Sequence, residues 1–257
     1  MADTSASESF DGLHTRTNIG DLQKRLLAQA WGDEYPAEVD PSSSCTWSVL
    51  GEMVRRLHLR PDDLLIDLGC GRGGTGLWLA RAFSARLIGI DFSPVGIELA
   101  AARIPGFLPE GRAEFRVGTF EAIGLPDACA DGLVSMDALP FAKDPDAALR
   151  EIARILRPGA PAVFTTVERL PGHPLHDPDA PSWPERIDRA GLLLEAEMER
   201  PEELVLWRSI FDLWDRHEAE LRAELGDAAA EPLLEESRTA GPHLHLRRPF
   251  LLTVRAA

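Results

Sequence analysis

Short apolar runs alternate with stretches of helical spacing along most of the chain. Leu64-Leu65-Ile66 stops at Asp67, and Leu87-Ile88-Gly89-Ile90 stops at Asp91. Runs this short, without polar alternation, suit strands buried on both faces. The pattern predicts strands at about 64–68, 87–91, 114–118, 132–136 and 162–166. Helices are predicted between them at 75–83, 94–102 and 145–156, and a further one at 183–190. Strand and helix in turn give an α/β fold, a parallel sheet with helices on both faces. A sixth strand is expected at 192–198, and Phe250-Leu251-Leu252-Thr253-Val254-Arg255 reads as an alternating final strand.

The flanking segments have different patterns. Residues 1–15 are polar and acidic and are expected to be a disordered tail. Residues 18–31 predict a helix with Leu22, Leu26, Leu27 and Trp31 as its apolar stripe. A second helix is expected from about Cys45 to His58, capped by Ser42, Ser43 or Ser44. The organisation expected is a tail (1–15), a helical cap (16–60), a core (61–200), a helical lid (201–242) and a final strand (243–257). A helix that leads by a short turn into the first strand runs antiparallel to it. Its N-terminus then lies at the carboxyl edge of the sheet, where ligands of open α/β sheets bind. Tyr35, Ser43, Ser44 and Thr46 fall there. The insert reads as two helices, with Leu204, Trp207, Phe211 and Trp214 on one face that covers either core or a substrate pocket.

Composition narrows the chemistry. Of 257 residues, 42 are acidic and 27 are Lys or Arg, a formal charge of −15 that disfavours nucleic-acid partners. Three cysteines without a C-x-x-C suit a reducing cytoplasm and argue against a zinc site or a disulfide framework. With no apolar leader and no run long enough to cross a membrane, the expectation is a soluble cytoplasmic protein.

Residues 64–76 carry the candidate chemistry. Gly69, Gly71, Gly73 and Gly74 form a turn between strand and helix, so backbone N–H groups and a helix N-terminus face whatever binds there. Gly69, Gly71 and Gly74 also satisfy G-x-G-x-x-G, a pattern that does not choose a cofactor. Asp67 is more selective. A carboxylate there is badly placed beside a pyrophosphate and suits a ligand with a positive amino group, such as S-adenosylmethionine. Asp91 lies where an acid accepts ribose hydroxyls.

The stretch Asp67-Leu68-Gly69-Cys70-Gly71-Arg72-Gly73 closely resembles the first motif of class I S-adenosylmethionine-dependent methyltransferases. Ile88-Gly89-Ile90-Asp91-Phe92-Ser93 resembles the ribose-binding motif, and Val117-Gly118-Thr119-Phe120-Glu121 the adenine loop, where the family often has Asp at the position of Thr119. Asp131 to Leu139, with Met136, resembles the fourth strand and the loop beside the methyl group. Leu156-Arg157-Pro158-Gly159-Ala160 resembles the turn into strand five. The resemblance spans roughly residues 45–170. It implies a Rossmann-like seven-stranded sheet whose antiparallel last strand lies between strands five and six. It also implies S-adenosylmethionine held by Asp67, Gly69, Gly71, Gly73, Gly74, Asp91, Phe92, Gly118, Thr119, Phe120 and Met136, and the topology adds Thr46 as a cofactor-binding candidate.

The expected reaction is methyl transfer to a small molecule, an apolar or aromatic secondary metabolite. Asp137 is the first candidate base, followed by His173, His176 and His243; Tyr35, Trp207, Phe211 and His245 are candidate substrate-lining residues. His173 and His176 sit with Asp177 in a proline-rich loop rather than on a ligand-presenting helix, so no metal is expected. The signature of Asn or Asp, Pro-Pro and an aromatic is absent, since Asp137 is followed by Ala138-Leu139-Pro140. Other readings are a cyclase that keeps S-adenosylmethionine without net methyl transfer, a non-catalytic partner subunit, and a nicotinamide oxidoreductase, which Asp67 disfavours. Neither the acceptor atom nor the oligomeric state, a homodimer included, follows from the residues.

Overall fold

The computed structural model describes residues 21–41 and 43–257. The tail expected at 1–15, the first residues of the helix expected at 18–31, and Ser42 lie outside the described residues.

Seven strands form one sheet in the order β3-β2-β1-β4-β5-β7-β6. They are β1 (Leu64–Leu68), β2 (Arg86–Asp91), β3 (Ala113–Val117), β4 (Gly132–Ser135), β5 (Pro161–Arg169), β6 (Leu192–Glu199) and β7 (Arg247–Ala256). The first five pair in parallel, and β7 runs antiparallel between β5 and β6, as the resemblance implied. The chain winds outward from β1 through β2 to β3, then returns to place β4 on the other side of β1. That reversal leaves a crevice beyond the carboxyl ends of β1 and β4.

The helices are α1 (Asp21–Trp31), α2 (Trp47–Leu57), α3 (Gly74–Phe83), α4 (Pro94–Arg103), α5 (Pro145–Ile155), α6 (Trp183–Arg189), α7 (Pro201–Arg216), α8 (Glu218–Leu225) and α9 (Asp227–Ala240). Local sequence starts several of them. Ser93 and Asp144 cap α4 and α5, each with proline next, and Ser182 closes a capping box with Glu185 on α6.

Each face of the sheet buries its own core. Ile66, Leu133, Phe164 and Leu252 pack towards α5 and α6, whereas Leu65, Val134, Val163 and Leu251 pack towards α2 and α3. A third core joins α1 to the segment expected as a lid: Leu22, Leu26, Leu27 and Trp31 cluster with Ile210, Phe211, Trp214, Leu233 and Leu234. The described part of the expected cap therefore serves two bodies, α1 packing on the lid and α2 on the sheet.

The lid has three helices where the sequence pattern suggested two. His217 ends α7, and Gly226 at φ +79 lets the chain turn between α8 and α9. Strands β5 and β7 are longer than their apolar runs, because they pair along nine rungs from Pro161↔Arg255 to Arg169↔Arg247. Backbone pairing carries the ladder through charged positions that periodicity alone leaves outside a strand.

Candidate functional site

A cleft of about 140 Å³ opens over the tips of β1, β2 and β4. Asp67, Gly69, Gly71, Gly74, Asp91, Phe92, Phe120, Met136 and Asp137 line it. Asp67 is 2% exposed and accepts one hydrogen bond, from the Gly76 N–H at 3.0 Å. No side chain ion-pairs with it among the described residues, and burial pushes its carboxyl up to about 7, opposed by that hydrogen bond and assisted by the Asp91 charge. A buried acid without a cation fits a ligand that brings an ammonium. Asp91 Oδ2 accepts from the Gly71 N–H at 2.8 Å and Oδ1 from the Ser93 N–H at 2.9 Å. Each carboxylate oxygen keeps a second lone pair for a hydroxyl.

The turn is seated by its glycines. Gly69 has φ +76, and a Cβ there would lie 2.3 Å from the Ala138 Cβ and 3.2 Å from the Phe120 ring. The backbone of the turn thus passes directly beneath the loop that follows β4. A Cβ on Gly74 would lie 2.0 Å from the Val39 carbonyl oxygen, so glycine lets the 36–41 loop sit on the N-terminus of α3. Two arginines sew that loop down. Arg72 pairs with Asp40 at 3.1 Å, while Arg103 donates to the carbonyls of Arg72 at 3.0 Å and Val39 at 2.8 Å.

Asp137 sits at φ +51, a backbone region uncommon for a residue with a side chain. Its Oδ1 accepts from the Thr165 hydroxyl at 2.8 Å, its Oδ2 from the Ser44 N–H at 2.6 Å, and its N–H donates to Thr165 Oγ1 at 2.6 Å. Fully buried Arg200 donates to the Ser44 carbonyl at 2.9 Å and pairs with Glu203 at 2.9 Å. One network therefore ties β5, the loop after β4, the chain before α2 and the start of α7. Glu203, buried and close to the Asp137 charge, is pushed up to about 7 although Arg200 opposes the shift.

Residues 66–164 match the model of a methyltransferase domain. Residues 66–164 are thus the methyltransferase-domain part of the chain. Among curated relatives it is 32% identical to an O-methyltransferase, cnsE, of Penicillium expansum over 149 residues, 55% of this chain and 52% of that protein. It is 29% identical to the methyltransferase GfsG of Streptomyces halstedii over 129 residues, 50% of this chain and 46% of that one. The chain thus spans about half the length of these relatives. A solved structure, the [4+2]-cyclase SpnF, superposes with a TM-score of 0.69 at 22% identity, covering 94% of this chain and 96% of that one. At that identity the likeness concerns the fold.

Several predicted site residues of this methyltransferase domain lie away from the cleft wall. Thr46 spends its hydroxyl on the N-cap of α2, accepting from the Val49 N–H at 3.2 Å. Gly73 turns its Cβ side towards Phe115 and Ala100, and Gly118 towards Ile90. Thr119 forms a tight turn with Ala122, while neighbouring Phe120 reaches the cleft. Phe211, weighed as pocket or core, is 4% exposed and belongs to the third core; its ring lies 5.7 Å from Trp207 and 5.6 Å from Trp214. Tyr35 packs edge-on against Trp31, and its hydroxyl is 3.4 Å from Asp40 Oδ1, so it stands behind the cleft wall. Burial and the Asp40 charge push that phenol up to about 12.

His173, His176 and His243 gather beyond the ends of β5 and β7, outside the cofactor cleft. His173 and His243 meet edge-to-face at 5.8 Å, and His176 Nδ1 lies 2.7 Å from the Arg169 carbonyl. His243 and His245 occupy a 3-10 turn, Gly241–Leu246, rather than an extended run, and His245 is exposed.

Asp40, Pro41, Arg72, Arg103 and Phe141 also line the cleft, and motif reasoning did not select them. Arg72 stands inside the glycine turn and was open to notice. Asp40 and Arg103 come from segments 32 and 31 residues away, through contacts that sequence spacing does not encode.

Proposed function

We propose that the protein transfers a methyl group from S-adenosylmethionine to a small molecule. The observation that carries this reading is Asp67, a buried carboxyl in the cleft wall with no cationic partner among the described residues. When bound, S-adenosylmethionine supplies a methyl group already activated by its sulfonium. Asp67 takes the ligand's ammonium, Asp91 its ribose hydroxyls, and Phe92, Phe120 and Met136 give apolar walls. Asp137, fixed by Thr165 and Ser44, acts as a positioning residue that holds the floor of the acceptor side. Holding acceptor and methyl in line supplies about 7–11 kcal/mol of barrier reduction. The names of the curated relatives favour a hydroxyl oxygen on a secondary metabolite as acceptor. Free cysteines, two of them buried, suit a reducing cytoplasm. Among the described residues, no helix is long and apolar enough to cross a membrane.

The test is turnover. The protein is incubated with S-adenosylmethionine and a panel of phenols, hydroxylated polyketides and amines, and S-adenosylhomocysteine is measured. Release that depends on an acceptor, with a product heavier by one methylene, supports the proposal. Conversion of an acceptor without S-adenosylhomocysteine would turn the reading to a cyclase. Failure to bind either adenosyl ligand, in a thermal shift that also includes NAD and NADP, would overturn it.

A further inference from the structure

We propose that Arg169 and Arg247 form an anion-binding subsite that receives an acidic group, a carboxylate or a phosphate, on the acceptor molecule. The word acceptor rests on the methyl-transfer reading; the subsite itself rests on geometry.

The two arginines stand directly opposite one another in the antiparallel β5–β7 ladder. Like charges in that relation are destabilising. Arg116, Arg248 and Arg255, also on the sheet, each close on a carboxylate: Glu114, Glu168 with Glu199, and Glu195. Arg169 and Arg247 form no ion pair among the described residues, in a chain whose 42 acidic residues outnumber its 27 Lys and Arg. Burial and the neighbouring Arg247 charge lower the Arg169 guanidinium below its usual value, so the repulsion is felt. His173 stands in the same field, lowered by burial and by Arg169, Arg247, His243 and His176, and is thus a neutral donor. Two guanidinium forks with imidazole N–H groups beside them match the oxygen geometry of a carboxylate or phosphate.

The subsite lies on the acceptor side. Thr165, which bonds to Asp137, and Arg169 share one face of β5, four residues apart. That places the arginine roughly 13 Å further along the strand than the cleft-lining Asp137. Glu203 on α7 and Glu236 on α9 both feel the charges of Arg247 and Asp137, so these two lid positions stand near both groups. Glu203 is committed to Arg200, and Glu236, which is exposed, makes no ion pair among the described residues. The fit is an extended acceptor, its acid at one end and the methylated atom at the other.

The protein is titrated calorimetrically with inorganic diphosphate and with octanoate, each with and without saturating S-adenosylhomocysteine. The expected result is submillimolar binding of at least one anion, weakened tenfold or more in Arg169→Gln and in Arg247→Gln. S-adenosylhomocysteine affinity should stay within twofold. A response to diphosphate alone assigns a phosphate, and a response to octanoate alone a carboxylate. No binding of either anion at millimolar concentration, or unchanged binding in both variants, overturns the proposal. Loss of S-adenosylhomocysteine binding by the wild type would sink the methyl-transfer reading and leave the anion result standing. Folding is read by melting temperature, which removal of a like-charge pair should leave equal or raise. Arg169→Lys and Arg247→Lys, which keep charge and strand, should bind between wild type and the Gln variants; any other order refutes recognition by the guanidinium fork.

Discussion

At the scale of single residues, Asp67 ties sequence to chemistry through an energetic cost. Its carboxyl is buried without a cation among the described residues and held up to about 7, so the free protein carries a proton there that the unfolded chain releases near 4. Between those values the folded state binds more protons, and stability contributed by this group falls as pH rises through about 7. Glu203, also raised to about 7, has the same sign. A ligand ammonium reverses the preference at Asp67. Affinity for S-adenosylhomocysteine should therefore climb with pH, roughly tenfold per unit below about 7, then level off; calorimetry between pH 5.5 and 8 checks this, and a flat profile would refute it. Asp67→Asn removes the charge and its cost together. It should melt no lower than wild type yet bind the ligand more weakly by about 1.5–3 kcal/mol. Gly69→Ala is the converse case. The added methyl meets Ala138 at 2.3 Å in a positive-φ turn. It should destabilise by roughly 1–3 kcal/mol, and Ala138→Gly should restore part of that loss in a double-mutant melt.

At the scale of elements, the periodicity that drew α7 did not say what its aromatic face would cover. Trp207, Phe211 and Trp214 recur at helical spacing whether they face a ligand or another helix. The structure turns Phe211 and Trp214 onto α1, and that contact is a core. Phe211→Ala should then cost about 3–5 kcal/mol in a thermal or denaturant melt while leaving S-adenosylhomocysteine affinity nearly unchanged. A loss of ligand affinity with an unaltered melt would show the face to be a pocket wall. The glycine turn lies at the other extreme. Its fold and its contact with the cleft were both legible, because a strand, a turn and a helix N-terminus are consecutive in the chain and need no distant partner.

At the scale of the whole molecule, α1 and the lid complete one another across nearly two hundred residues of chain. The Leu22 N–H donates to Glu224 at 2.9 Å, and α1 buries Leu26, Leu27 and Trp31 against α7 and α8. Deleting residues 1–33 should expose Ile210, Phe211 and Trp214, lower the melting temperature and raise binding of a hydrophobic dye; an unchanged melt would mean the lid is stable alone. Local and periodic features are legible in the amino-acid string: buried parallel strands, the glycine turn, acids at the ends of the first two strands, and an acidic balance that disfavours nucleic acid. Hydrophobic period and turn chemistry act over a few residues, so a one-dimensional string records them. Which side chains meet is set by the folded chain: Arg72 with Asp40, Asp137 with Thr165 and Ser44, Arg169 opposite Arg247, and His173 with His243. Those meetings follow from strand register and helix docking, in which many weak contacts from the whole chain are summed before any one pair is brought together.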